Sequence, residues 1–284
     1  YEVQGTDTTL ILPEERKVLM EMRKQWIDTL SEAEVVARLI TVREKIPLNQ
    51  YAPHKNELLS AIAERWTQSL KRIFKNRHYI VLSVMDRHNA ERDLTTAGQA
   101  LLSILEVYSP VLISEKTPQR HNDKSPFWLF ARLASPLSRP KPIVGPQLGD
   151  ELNSLLTADS VLFSKDHGIV KFQAGDHEKL CIVMGIRKPG DFMDEQMTAD
   201  LLSLDVELNL VHNIKPVKAV KAKAILEQQR RMALLCTPSE NVRYQYRQAM
   251  EMLDSADANA QTLDDYAMTV YLFGDTKEEL DFAQ

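Results

Sequence analysis

Apolar and polar residues alternate in short runs along this chain, and longer runs with apolar positions three and four apart follow them. The clearest alternation is near the end, where Tyr266, Met268, Val270 and Leu272 fall on one face and Thr269 and Tyr271 on the other, predicting a strand over 265–273. Gly274 breaks that run. Thr276 and Glu279 then have the spacing of a capping box, in which hydroxyl and carboxylate satisfy orphan amides at a helix start. The same reading predicts strands at 3–12, 35–46 and 78–85, alternating with helices at 14–30, 55–75 and 91–108. A second series starts with a hairpin, "VLFSKDHGIVKF". It continues with a strand at 179–187, a helix at 192–203, a strand at 206–214, a helical region at 217–256, the strand at 265–273 and a helix from 276.

Seven of the thirteen prolines lie between Pro110 and Pro146. Each removes a backbone donor and fixes φ, so this stretch is read as a connector with one short helix, Phe127–Ala134, docked by its aromatics. The predicted organisation is a first subdomain at 1–109, the connector at 110–158 and a second subdomain at 159–284. Each subdomain reads β-α-β-α-β-α with its own sheet, an α/β or α+β fold class. A helix capped at Thr276 needs three or four turns, yet eight residues follow the cap, and the first residue is Tyr1. Both ends are therefore expected to be cuts in a longer protein.

Composition narrows the function. A length of 284 residues, 44% hydrophobic and 26% charged, is that of a water-soluble globular chain, and a net charge of −5 gives no overall pull toward nucleic acid. Two cysteines, Cys181 and Cys236, make no disulfide framework and suit a reducing compartment; Cys181 lies in the apolar run "LCIVMGI" and is expected to be buried. No stretch reaches the roughly 20 apolar residues of a spanning helix.

The search for chemistry returns mostly negatives. None of the nine glycines is followed by lysine and four are followed by aspartate, so the sequence has no loop of the kind that cradles phosphates. GxGxxG, GxSxG, HExxH and CxxC are also missing. His167 and His177, beside Asp166, Asp176 and Glu178, invite a metal reading in which the chain is an independent α/β enzyme; the plainer reading is two polar turns. The run from Lys215 to Arg231, with Lys218 and Lys221, is a basic helix face that could meet phosphates or simply be solvated. Met20, Met22 and Trp26 read as core, and His212 as a strand residue near the sheet edge.

One stretch has a specific likeness. "FWLFARLASPLSRPKPIVGPQLGDELNSLLTADSVLFSKDHGIVKF" resembles the middle of the N-terminal region of the large type IV secretion ATPases, the CagE/TrbE/VirB family. The carrying features are the Leu-Ala-Arg-Leu-like helix at Phe130–Leu133, the prolines from Pro140 to Pro146 and the Phe-Ser-Lys turn at Phe163–Lys165. "YAMTVYLFGDTKEELDFA" is similar to the strand, turn and helix that precede the family's motor domain, and "VQGTDTT" to its early strand and turn.

The resemblance implies a non-catalytic assembly and docking region. ATP and Mg would be bound by a RecA-like domain outside this sequence, with no cofactor and no catalytic residue here. Implied partners are further copies of the chain, in a hexamer of the parent protein, and inner-membrane subunits at the cytoplasmic face. Nucleic acid would bind weakly if at all. Candidate contact residues are the aromatics Phe127, Trp128 and Phe130, since large exposed rings concentrate interface energy, with Lys218 and Lys221 on the basic helix.

Overall fold

Val35–Ile46 and Ile73–Val84 are both twelve-residue strands, and their antiparallel ladder runs unbroken from Val35↔Val84 to Ile46↔Ile73. In this computed structural model the described residues are 1–4, 12–46, 73–84, 88–113, 160–163, 168–186, 195–217 and 263–282. Shorter pieces at 56, 58–62, 65, 129–130, 133–134, 136–137, 224, 227–228, 231 and 244 are also described. The elements are β1 (Glu2–Val3), α1 (Pro13–Glu32), β2 (Val35–Ile46), β3 (Ile73–Val84) and α2 (Ala90–Ile104). They continue with β4 (Ser160–Phe163), β5 (Ile169–Ala174), β6 (His177–Ile186), α3 (Glu195–Ser203), β7 (Glu207–Val217), β8 (Leu263–Gly274) and α4 (Lys277–Phe282).

The eight strands among the described residues form one antiparallel sheet in the order β1-β3-β2-β7-β8-β6-β5-β4. The mixed helix-and-sheet class is as expected, in its α+β form. The expected pair of separate sheets is not formed, because β2 pairs with β7 from Ala37↔Ile214 to Arg43↔Leu208. The reason lies in β2 itself. Val35 and Ala37 are buried toward one face and Val36, Ile40 and Val42 toward the other, so this strand is interior and needs a neighbour on each side. Alternation reports which face is buried but not which strand lies alongside.

Helices gather on one face. Trp26 and Leu30 of α1, Ala97 and Leu101 of α2, and Leu105 just after it pack on Val35, Ala37 and Ile80. Farther along the same face, Leu280 of α4 packs with Ile182, Leu208, Leu210, Met268, Val270 and Leu272, with Leu201 and Leu202 of α3 at the margin. Trp26 is core as read, whereas Met20 is 58% exposed, because the buried face of α1 follows Leu19, Trp26 and Leu30.

Some boundaries move. The helix expected at 55–75 stops earlier, since β3 begins at Ile73; residues 58–62 and 65 are helical. The strand expected at 3–12 is described only as Glu2–Val3, and 5–11 lie outside the described residues. β7 runs to Val217, and most of the helical region expected at 217–256 lies outside the described residues. The hairpin read at 161–172 is β4 and β5.

Local chemistry sets the turns. Pro13 occupies the first helical position of α1, where its missing N–H would be unpaired anyway, and the Glu15 carboxylate accepts the Leu12 N–H at 3.1 Å. At α4 the Glu279 N–H donates to Thr276 Oγ1 at 3.3 Å, while the Glu279 carboxylate accepts the N–H of Asp275 at 2.9 Å. The predicted capping box thus forms with its return bond one residue earlier. Gly175, at φ 60°, and Asp176 join β5 to β6 in a two-residue turn that needs a positive φ at its first position.

Gly274 ends β8 for a packing reason. A Cβ there would lie 3.0 Å from Leu280 Cγ and 3.1 Å from the Thr276 carbonyl, so the glycine lets α4 fold back onto the sheet. A Cβ at Gly185 meets nothing within 4 Å. Gly274→Val is expected to lower unfolding stability by about 1–3 kcal/mol through overpacking. Gly185→Val should change it by less than about 0.5 kcal/mol, as surface substitutions do. Urea denaturation of both variants measures the contrast, and equal midpoints would show that the α4 packing contributes nothing.

Candidate functional site

The second face of the sheet carries no long helix among the described residues. Register places Arg38, Ile40 and Val42 of β2, Arg77, Tyr79 and Val81 of β3, and Asn209 and Val211 of β7 on it. Thr269, Tyr271 and Phe273 of β8 and Cys181 and Val183 of β6 continue it. Its centre is covered by the connector. Residues 129–130 and 133–134 are helical, and buried Leu129 packs on Ile40, Val42 and Tyr79, with Leu133, Ile113, Val81 and Val211 at the margin. Leu129 and Leu133, four apart, present one helix side to the sheet.

Among its described residues the connector helix is docked by Leu129 and Leu133. Of the aromatics expected to dock it, Phe130 is 39% exposed, and Phe127 and Trp128 lie outside the described residues. Pro136 is also buried and, with Val42, Asn209 and Phe273, lines a cavity of about 20 Å³, space for one water and no larger ligand.

Beside that cavity lies a charged bridge that nothing in the sequence signals. The Glu207 carboxylate accepts the Lys45 N–H at 3.0 Å and forms an ion pair with Lys179, reaching from β7 to β2 on one side and past β8 to β6 on the other. Both side chains are less than a fifth exposed, so removing either partner leaves a partly desolvated charge. Phe172 and Phe273 flank the bridge, with ring centroids 6.3 Å apart. On the helical face Arg43 is likewise fixed. Its guanidinium stacks over Phe74 at 4.4 Å and donates to Asn76 Oδ1 at 3.2 Å and the Leu204 carbonyl at 3.1 Å.

The residues considered for metal do not converge among those described. His177 is exposed at the start of β6, Glu178 is paired with Lys171, and Asp166 and His167 lie outside the described residues. Among the described residues no group of three or more His, Cys, Asp or Glu is placed to hold a metal ion. Of the basic run, Lys215 is an exposed residue of β7, while Lys218 and Lys221 lie outside the described residues. Cys181 is buried as expected, and burial pushes its thiol pKa up to about 12, far from a reactive thiolate. No helix among the described residues is long and apolar enough to cross a membrane.

Two histidines sit within the helical face. His78 Nδ1 is 2.9 Å from Thr41 Oγ1, and His212 Nδ1 is 2.6 Å from the Tyr266 hydroxyl. His212 is not near a sheet edge, as its sequence context suggested, but on β7, the fourth strand of eight. Burial lowers the pKa of both histidines below the ordinary 6.5, favouring neutral rings.

Comparison with known proteins bears on the same region. The model of the CagE, TrbE, VirB family, component of type IV transporter system, matches residues 127–283, a span from the connector helix through β4–β8 into α4. A search of curated proteins found no match.

The depressed histidine pKa values fix a direction for pH dependence. Neutral His78 and His212 support the fold fully above about pH 6.5, their unfolded value, and that contribution is lost as pH falls toward the folded values. Thermal melting between pH 7 and 5 should therefore show a falling midpoint, with a shallower fall in His78→Gln/His212→Gln. A variant whose profile parallels the wild type would assign the acid sensitivity to other groups.

Proposed function

Because the chain belongs to the CagE, TrbE, VirB family, component of type IV transporter system, we propose that it is the assembly and docking region of a type IV secretion ATPase. The matched span carries this reading, taken with a sequence in which no glycine precedes lysine and four of nine precede aspartate. A triphosphate needs a nest of backbone amides and a lysine to offset its desolvation. ATP and Mg are then handled by a RecA-like domain outside these residues, and this region transmits the motor's work by holding on to neighbours. Those neighbours are further copies of the chain in an oligomer and subunits at the cytoplasmic face of the inner membrane.

Phe130 is the contact residue we favour. It is a large ring 39% exposed, next to the anchored Leu129, so a partner meets a fixed surface. Phe127 and Trp128 extend the same proposal to neighbouring sequence, and Lys218 and Lys221 to the basic run. Two outcomes would favour other readings. DNA binding with a steep loss on adding salt would make the basic run a nucleic-acid module, and metal retained through purification would favour an enzyme.

The test pairs two measurements. The purified chain should show no ATP turnover above a mock preparation. In cells carrying the transport system, a photo-crosslinking residue at position 130 should capture another component of it. Phe130→Glu should reduce substrate transfer at least tenfold at unchanged protein level. Sustained ATP turnover by the chain, or normal transfer by Phe130→Glu with no crosslink, would overturn the reading.

A further inference from the structure

The two ends of the sheet are built differently. At one end β1 is two residues long and its outer side is taken. The Glu2 N–H donates to the Val111 carbonyl at 2.9 Å, and the Val111 N–H donates back to Glu2 at 2.8 Å. At the other end β4 pairs with β5, from Ser160↔Gln173 to Phe163↔Val170, and among the described residues nothing pairs with its outer side. All four β4 residues are exposed, Val161 by 39%, Leu162 by 50% and Phe163 by 79%. An open outer strand is a template for another strand, and proteins usually blunt it with lysine, proline or a bulge. Ser-Val-Leu-Phe contains none of these.

We propose that β4 is a self-pairing edge. Two copies of the chain join antiparallel, β4 against β4, about a twofold axis at Leu162, and the sheet continues from one copy into the other. The pairing is carried by the edge itself and does not depend on the transport role.

Register argues for a second copy as the occupant. Directly opposed residues in an antiparallel ladder share a face. Val161 and Phe163 lie on the second face, opposite Phe172 and Val170, and Leu162 lies on the helical face, opposite Lys171. Setting Leu162 against Leu162 of the second copy places each Val161 against Phe163 of the other. These are β-branched and aromatic pairs, made twice and with no charge in the strand to repel its copy. A shift of two residues one way leaves Phe163 without a β4 partner, and the other way does the same to Val161. A four-residue strand buries far less than the roughly 1,200–2,000 Å² of stable complexes. Pairing is therefore weak, visible at high concentration or where other contacts hold two copies together.

Cysteine placement tests the register as well as the contact. In a Cys236→Ser background, with Cys181 buried, single cysteines at 161, 162 and 163 are oxidised mildly at high protein concentration. Opposed residues lie within disulfide reach, whereas residues two steps out of register do not. Leu162→Cys should crosslink to itself, while Val161→Cys and Phe163→Cys should crosslink only when mixed. Phe163→Glu should weaken dimerisation in sedimentation equilibrium at least tenfold. These side chains are exposed, so unchanged melting curves verify that the variants fold. Self-crosslinking of Val161→Cys, equal crosslinking of all three, or a wild-type chain that sediments as a monomer at every concentration overturns the proposal.

Discussion

The β2–β7 ladder holds the two ends of the sequence together. Seven residue pairs, Ala37↔Ile214 to Arg43↔Leu208, join strands more than 160 residues apart, and each strand has a second partner, β3 for β2 and β8 for β7. Without that ladder, Ile40 and Val42 would have no Val211 and Asn209 beside them, and the surface on which Leu129 sits would not exist. The two helical cores would also separate, since the one built on Trp26 and Leu101 rests on β2 and β3 and the one built on Leu280 rests on β6, β7 and β8. The family-matched span begins at residue 127, yet its strand β7 is completed by strands that precede it.

Specific side chains reinforce this junction. Glu207 ties β7 to the β2 backbone and to Lys179 of β6, so three strands that are not all neighbours share one carboxylate. Arg43 links β2 to β3 through Asn76 and Phe74 and to the turn before β7 through the Leu204 carbonyl. A paired, half-desolvated charge adds little net stability over an apolar replacement, but its geometric demands favour one register over its slipped alternatives. The second face in turn receives Ile113, Leu129 and Leu133 of the connector, while Phe130 and the β4 end of the sheet are exposed.

Local signals were legible in the sequence because they act over a few residues. Alternation at Tyr266–Leu272 gave β8, Gly175-Asp176 gave a tight turn, and Thr276 with Glu279 gave the start of α4. β3 was harder: Lys75, Asn76 and Arg77 interrupt its apolar pattern, so its first turnings resembled the tail of a helix until their neighbours on β2 were known. The pairing of β2 with β7 left no mark on either strand beyond burial on both sides. Glu207 and Lys179 are 28 residues apart with nothing local to link them. In the connector Leu129 and Leu133 form a contact that no local motif marks, because helical spacing decides which side meets the sheet. Family membership was legible from block order alone, whereas contact residues depend on exposure, which one sequence does not contain.

Hydrogen exchange across a denaturant series tests the single sheet most directly. If β2 and β7 are neighbours in one cooperative unit, the amides of Ile40, Val211 and Val270 open with the same free energy and the same denaturant slope, and they merge with global unfolding. Two independent units would give β2 and β3 one opening free energy and β7 and β8 another, with separate transitions. That result would contradict the account.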